Sequence, residues 1–233
     1  MAKEKFFVLD VEGGSTCRPY NVGFIVADRY GKIYKKYSYA IPEAIWENMA
    51  NVLKTGIALE MTKSNIQEIL MDFQNKRVKR KYKYISINEF YKLLEKLIKR
   101  YKIKRLFAYN VSFDKNSLKR LFGDERFNKL NLEYCDIISG ILTTKLLTKK
   151  YCHFCIENGF LSPKNNILTK AEVVYKYLTN CLDFVEEHTG LSDVLIEYEI
   201  LLTVFRSHKA VDFKPTVAWI KLKKFCEENG IIY

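Results

Sequence analysis

The stretch Phe6-Phe7-Val8-Leu9-Asp10-Val11-Glu12-Gly13-Gly14 decides how this 233-residue chain is read. Four apolar residues lead into two carboxylates spaced by one residue and then into a glycine turn. If residues 5 to 12 form a strand, Asp10 and Glu12 point to the same face with Cα atoms about 6 to 7 Å apart. Two carboxylates so close repel each other and lose solvation unless a cation lies between them. A strand end running into a solvated turn would use the same residue types, so the pair needs company before it signals chemistry.

Two later segments supply it. Leu106-Phe107-Ala108-Tyr109 reads as a second buried strand, and Asn110-Val111-Ser112-Phe113-Asp114-Lys115-Asn116-Ser117-Leu118 carries it into a helix. His188-Thr189-Gly190-Leu191-Ser192-Asp193 opens another helix. Singly, Asp114 suits a helix dipole and Asp193 a helix N-terminus. As a set, four acids and a histidine in this order are what a two-metal phosphodiesterase needs.

Together the segments resemble the histidine (DEDDh) branch of the DEDD superfamily of 3′ to 5′ exonucleases, the group of polymerase proofreading exonucleases and ribonuclease T. Asp10 and Glu12 match its Asp-x-Glu motif. Asn110, Phe113, Asp114 and Leu118 match Asn-x-x-Phe-Asp-x-x-x-Leu, and His188 and Asp193 match His-x-x-x-x-Asp. The resemblance runs from residue 5 to about residue 205 and implies a ribonuclease H-like α/β fold, a mixed five-stranded sheet flanked by helices. It further implies that Asp10 bridges two divalent cations, Mg2+ or Mn2+, about 4 Å apart. Glu12 and Asp193 would complete the first site and Asp114 would hold the second. His188, whose ordinary pKa of about 6.5 leaves neutral imidazole near pH 7, would serve as general base on the attacking water. One departure stands out. The family commonly has Thr or Ser after the first-motif Glu, where this chain has Gly13 and Gly14. In relatives that turn holds the 3′ sugar partly through backbone groups, and glycine lets the backbone come close.

His153 and His208 have no acid at family spacing and read as structural or solvated. The composition suits a nucleic-acid substrate: 39 Lys and Arg against 27 Asp and Glu give a net charge of +12. Residues 76 to 105 hold 13 basic and 2 acidic side chains, so this stretch carries nearly the whole imbalance. Within it, Lys76-Arg77-Val78-Lys79-Arg80-Lys81-Tyr82-Lys83-Tyr84 mixes cations that neutralise phosphates with rings that stack on unpaired bases. A solvated loop or a targeting patch would look similar. Lys79, Arg80 and Lys81 are the substrate-binding candidates here, beside Gly13, Gly14, Asn110 and Phe113. A helix from Ile87 to Tyr101 follows, with Ser86 and Glu89 as a capping box and Phe90, Leu93, Leu94, Leu97 and Ile98 on its apolar face.

The pattern predicts strands over 5–12, 20–29 and 32–40, with a hairpin at Gly31, and helices after Pro42, over 63–75 and over 86–101. Strand 105–109, helix 112–122 and a short strand over 132–136 follow, then helices to the end. Strand ends converging on Asp10 and Asn110 place the site at one edge of the sheet. Asp136 reads as a helix cap, Thr169 and Glu172 as a capping box for Ala171 to Leu178, and Pro215 as the start of a last helix ended by Gly230. At 48% hydrophobic the chain can bury a sizeable core. No linker-like tract divides it, so residues 1–233 read as a single exonuclease domain with a basic insertion around 76–105.

Lys3-Glu4-Lys5 runs directly into the first strand, without a signal peptide, and no apolar run is long enough to cross a membrane. The expected setting is the reducing cytoplasm of a bacterial or phage-infected cell, with free thiols. Cys152-x-x-Cys155 has zinc-knuckle spacing, but no second such pair supplies two further ligands. Cys181, His153 or a partner chain could complete it, and an ordinary thiol pair is the simpler reading.

The leading expectation is thus a metal-dependent 3′ to 5′ exonuclease on single-stranded DNA or RNA with a free 3′ end, releasing 5′-mononucleotides. A phosphodiesterase on short oligonucleotides or a nucleotide second messenger would use the same chemistry. A non-catalytic nucleic-acid-binding module would keep the fold for docking. The sequence leaves open the choice of sugar, a homodimer and any replication or repair partner.

Overall fold

A computed structural model describes residues 3–13, 17–55, 66–69, 71–72, 83–186, 189–207 and 211–231, with backbone alone at 51–55. Its first strand, β1 (Lys5–Glu12), pairs antiparallel with β2 (Asn21–Asp28), which pairs antiparallel with β3 (Ile33–Ala40). The predicted hairpin is present: the Asp28 carboxylate accepts from the Tyr30 amide at 2.8 Å and the Tyr34 hydroxyl at 3.0 Å, and Gly31 takes φ +93°. On the other side of β1 lie β4 (Arg105–Ala108) and β5 (Glu133–Asp136), both parallel to it. The order is β3-β2-β1-β4-β5, the mixed five-stranded sheet expected.

The period of two along β1 splits the core. Phe7, Leu9 and Val11 face one side, packing with Val22, Phe24, Leu106 and Ala108 against α1 (Pro42–Thr55), α2 (Ile87–Tyr101) and α3 (Val111–Phe122). Phe6 and Val8 face the other, with Ile25, Ala27 and Phe107. Asp10 and Glu12 continue the Phe6–Val8 face. After α4 (Asp124–Lys129) and β5, that second face is covered by α5 (Ile137–Ile141) with a π-helical turn over Leu142–Leu146, α6 (Lys149–Glu157), α7 (Ala171–Thr179), α8 (Gly190–Arg206) and α9 (Ala218–Glu228).

Helix α8 follows β2 closely. The Gly190 amide donates to Asn21 Oδ1 at 3.3 Å, and the Tyr198 hydroxyl donates to the Asp28 carbonyl at 2.8 Å. Between these ties the two backbones touch: a Cβ on Gly23 would lie 2.0 Å from the carbonyl carbon and oxygen of Gly190. Gly23 is paired in register with Asp10, so this close approach brings the start of α8 beside the first carboxylate.

Several local expectations change. Helix α2 has its Ser86–Glu89 capping box, but Tyr91 is buried where Leu93 and Ile98 are only half-buried. Residues 66–69 and 71–72 are helical, and the rest of the 63–75 expectation lies outside the described residues. The Thr169–Glu172 box does not form: Lys170 occupies the N-cap of α7 without a side-chain bond, and Glu172 pairs with Lys176 at 2.9 Å. Pro215 does not start a helix, since α9 begins at Ala218. Asp136 does cap α5, accepting from the Ser139 amide and hydroxyl, and it also accepts from the Val111 amide at 3.1 Å. Cys152 and Cys155 are buried thiols, and the Cys226 thiol sits 3.4 Å from that of Cys152. Burial raises Cys152 to about 12 and Cys155 to about 11. No helix among the described residues is long and apolar enough to cross a membrane.

Candidate metal and nuclease site

Three chain segments meet at the carboxyl ends of β1 and β4. These are the third and fourth strands of five, so the site lies at the carboxyl edge of the sheet, near its middle. Asp10 and Glu12 come from β1 and Asp193 from the first turn of α8, and carboxylate oxygens of the three lie within 4.8 Å of one another. Thr189 caps that turn by accepting from the Ser192 amide, and the Ser192 hydroxyl donates to Asp193 Oδ1 at 3.2 Å.

Asp114 arrives from the first turn of α3. Past the β1–β4 rungs at Phe7–Leu106 and Val8–Phe107, the Val11 amide donates to Asp114 Oδ1 at 3.2 Å. The buried Asp114 carboxylate therefore completes the hydrogen bonding of the strand that carries Asp10 and Glu12. Asp136 fixes the helix start from the other side through the Val111 amide.

The electrostatics are those of a cation site. Burial, then Asp114, Glu12, Asp193 and Glu186, holds the Asp10 carboxyl well above its ordinary range. Burial lifts Asp114 to about 8 against the opposing bond from Val11, with Glu12 adding to the rise. Asp193 is also raised to about 8, by burial and then by Glu186 and Glu12. Asp10 Oδ2 is buried with no hydrogen-bond donor. A clustered, all-oxygen donor set with an orphaned buried carboxylate atom fits a hard divalent ion such as Mg2+ or Mn2+.

Sequence reading missed Glu197. It lies one helical turn after Asp193, is buried, has an unpartnered Oε2, and is pushed well up by burial, Asp10, Asp114 and Asp193. The signal was available: an acid at i+4 from Asp193 within the apolar run Val194-Leu195-Ile196-Glu197-Tyr198 shares its helix face. Glu186 is a second addition, acting on Asp10, Asp193 and Glu197.

Of the remaining predicted residues, Gly13 directly follows β1, Asn110 is exposed at the N-cap of α3 without a capping bond, and Phe113 is half-buried on the helix. His188, Gly14, Lys79, Arg80 and Lys81 lie outside the described residues. The chain on the far side of the Gly13 turn is anchored: the Cys17 carbonyl accepts from Arg120 at 3.0 Å, and Arg18 pairs with Glu47 at 2.6 Å. Beside Asn110 opens a cleft of about 880 Å³ reaching Lys164, Lys170 and Trp219. Tyr109 forms its inner wall, and its hydroxyl donates to the Thr169 carbonyl at 2.8 Å.

No family model matches the chain, and no curated protein matches it in sequence. Among solved structures it is similar to E. coli exonuclease I in complex with a dA16 oligonucleotide, at 16% sequence identity and a TM-score of 0.50, over 88% of this chain and 42% of that chain. The same enzyme with a dT13 oligonucleotide gives 14% identity and 0.49, over 87% and 41%. The chain thus spans less than half the length of the exonuclease I chain. The α/β fold, a mixed five-stranded sheet with helices, is that of this exonuclease type.

Proposed function

We propose that this chain is a DEDDh-type, metal-dependent 3′ to 5′ exonuclease that releases 5′-mononucleotides from single-stranded DNA or RNA. The observation that carries the reading is the meeting of Asp10, Glu12 and Asp193, oxygens within 4.8 Å, with Asp114 buried beside them. The fold shared with exonuclease I supports it. Residues 1–233 are read as one exonuclease domain, with 76–105 as its basic insertion.

In this reading Asp10, Glu12 and Asp193 would hold one divalent cation, and Asp114 with Asp10 would hold a second. Bound cations supply Lewis-acid stabilisation of charge on the attacking and leaving oxygens. The rest falls to the chain. His188, five residues before Asp193, accepts the proton of the attacking water as its oxygen bonds to the terminal phosphorus. The P–O3′ bond breaks, the leaving O3′ takes a proton from solvent water, and the shortened strand departs with a 3′-hydroxyl. Asn110, Phe113, Gly13 and Gly14 seat the terminal nucleotide, while Lys79, Arg80 and Lys81 offset phosphate charge further along.

The test is degradation of 5′-labelled single-stranded DNA and RNA with Mg2+, Mn2+ or EDTA, beside Asp10→Ala. A metal-dependent ladder shortening from the 3′ end, lost in Asp10→Ala, is the expected result. Intact substrate in every lane would overturn the reading and favour a binding module, and turnover confined to dinucleotides would favour a phosphodiesterase on short substrates.

A further inference from the structure

Beyond the carboxylates, a cleft of about 880 Å³ opens at the ends of β4 and β5. Its volume lies within the roughly 300 to 1,000 Å³ of ligand pockets, and its position outside strand carboxyl ends is where open α/β sheets bind ligands. Its polar and apolar parts are separated in a useful way. Lys164 and Lys170 contribute positive charge, and no carboxylate is among the described residues lining it. Trp219 and Val217 supply apolar surface and are 47% and 51% exposed.

The exposure of Trp219 follows from how α9 is anchored. Ala218, Leu222 and Cys226, at helical spacing, form the buried stripe of α9. Trp219 is one residue off that stripe, so its ring stays out of the core and at the cleft wall. An indole held on a helix with cations nearby is a stacking platform for a base whose phosphates need neutralising.

The cleft lies beside the acidic site. Asn110 and Ser112 line the cleft, and they lie at the start of the helix that carries Asp114 in its first turn. We infer that the cleft between Asn110 and Trp219 binds the nucleotides upstream of the scissile one, with a base stacked on Trp219 and its phosphates on Lys164 and Lys170. The occupant is unpaired nucleic acid, since stacking on the Trp219 ring uses a base face that a duplex keeps against its neighbours. This inference rests on the exonuclease reading and deepens it by giving the strand a path toward β5.

The experiment uses the full chain and two readouts. Binding of 5′-labelled oligothymidylates of 4, 8 and 12 nucleotides is followed in EDTA by anisotropy, and Trp219 emission is isolated in a Trp46→Phe background. Hydrolysis in Mn2+ is followed on the same oligomers and on the p-nitrophenyl ester of thymidine 5′-monophosphate, which has no upstream nucleotide. Binding quenches Trp219, and Trp219→Ala weakens oligomer binding roughly tenfold. Trp219→Phe recovers most of that loss, and the chromogenic ester turns over at an unchanged rate. Lys164→Ala with Lys170→Ala makes the salt dependence of binding shallower by about 1.4 in log–log slope. Hydrolysis intact but binding, quenching and slope untouched by these variants overturns the cleft while leaving the exonuclease standing. No oligomer binding by the wild type also overturns the cleft. Quenching and the variant effects without hydrolysis of either probe would support the cleft and overturn the exonuclease.

Discussion

Asp114 has two separable roles, one structural and one electrostatic. Its Oδ1 accepts the Val11 amide, and its charge adds to that of Asp10. Asp114→Asn keeps the acceptor and removes the charge, whereas Asp114→Ala removes both. Urea unfolding should therefore place the Ala variant about 1 to 3 kcal/mol below the Asn variant, the cost of leaving the buried Val11 amide unpaired. Affinity for the second cation should fall in both by at least the roughly 10- to 100-fold that loss of an outer-shell group costs, because Asp114 is read as a direct ligand. Equal stability of the two variants would show that the Val11 bond contributes nothing net.

At the scale of elements, the site depends on β2 and α8 touching at Gly23 and Gly190. A methyl at position 23 meets backbone 2.0 Å away, and neither strand nor helix can yield by rotating a side chain. Gly23→Ala should cost about 1 to 3 kcal/mol in urea unfolding, as overpacking does. Because Gly23 is paired with Asp10 and Gly190 precedes Asp193 by three residues, the variant should also lose most of the Mn2+-induced rise in Tm. A full rise retained in a destabilised variant would separate the contact from the site. This contact marks the limit of what the sequence discloses. Asp10 and Glu12 were legible because a strand's period of two puts them on one face, and Asp114 and Asp193 because they stand at fixed spacings in short motifs. Gly23 carries no local signal: it is one glycine inside the apolar run Asn21–Asp28, and its role exists only against a helix far along the chain. Thr169 and Glu172 show the opposite failure. Their spacing fits a capping box, but Glu172 finds Lys176 on its own helix and Lys170 takes the cap. A distant helix decided the first case and a neighbour on the same helix the second.

For the whole molecule, the packing of acids at one point sets a pH dependence of stability. Asp114 and Asp193 rise from an ordinary value of 3.8 to about 8, and Asp10 and Glu197 are raised as well, in each case chiefly by burial. Between pH 4 and 8 the folded chain therefore holds protons that the unfolded chain has released. Stability from these groups is full below the unfolded value and is lost as pH climbs through the folded one. Asp28, Glu89 and Glu125 are shifted downward, so their contribution is lost only as pH falls through the acid range below that window. In EDTA, Tm should fall steadily from pH 5 to pH 8, and Glu197→Gln should flatten that decline by removing one of the raised groups. Divalent cations bind the ionised carboxylates and must displace protons at lower pH, so the Mn2+-induced rise in Tm should be larger at pH 8 than at pH 5.5. Thermal scans over this range in EDTA and in Mn2+ check both trends. A Tm that climbs with pH in EDTA would mean that the acids are ionised and compensated by groups of the chain itself, which would remove the electrostatic reason for a cation between Asp10, Glu12 and Asp193.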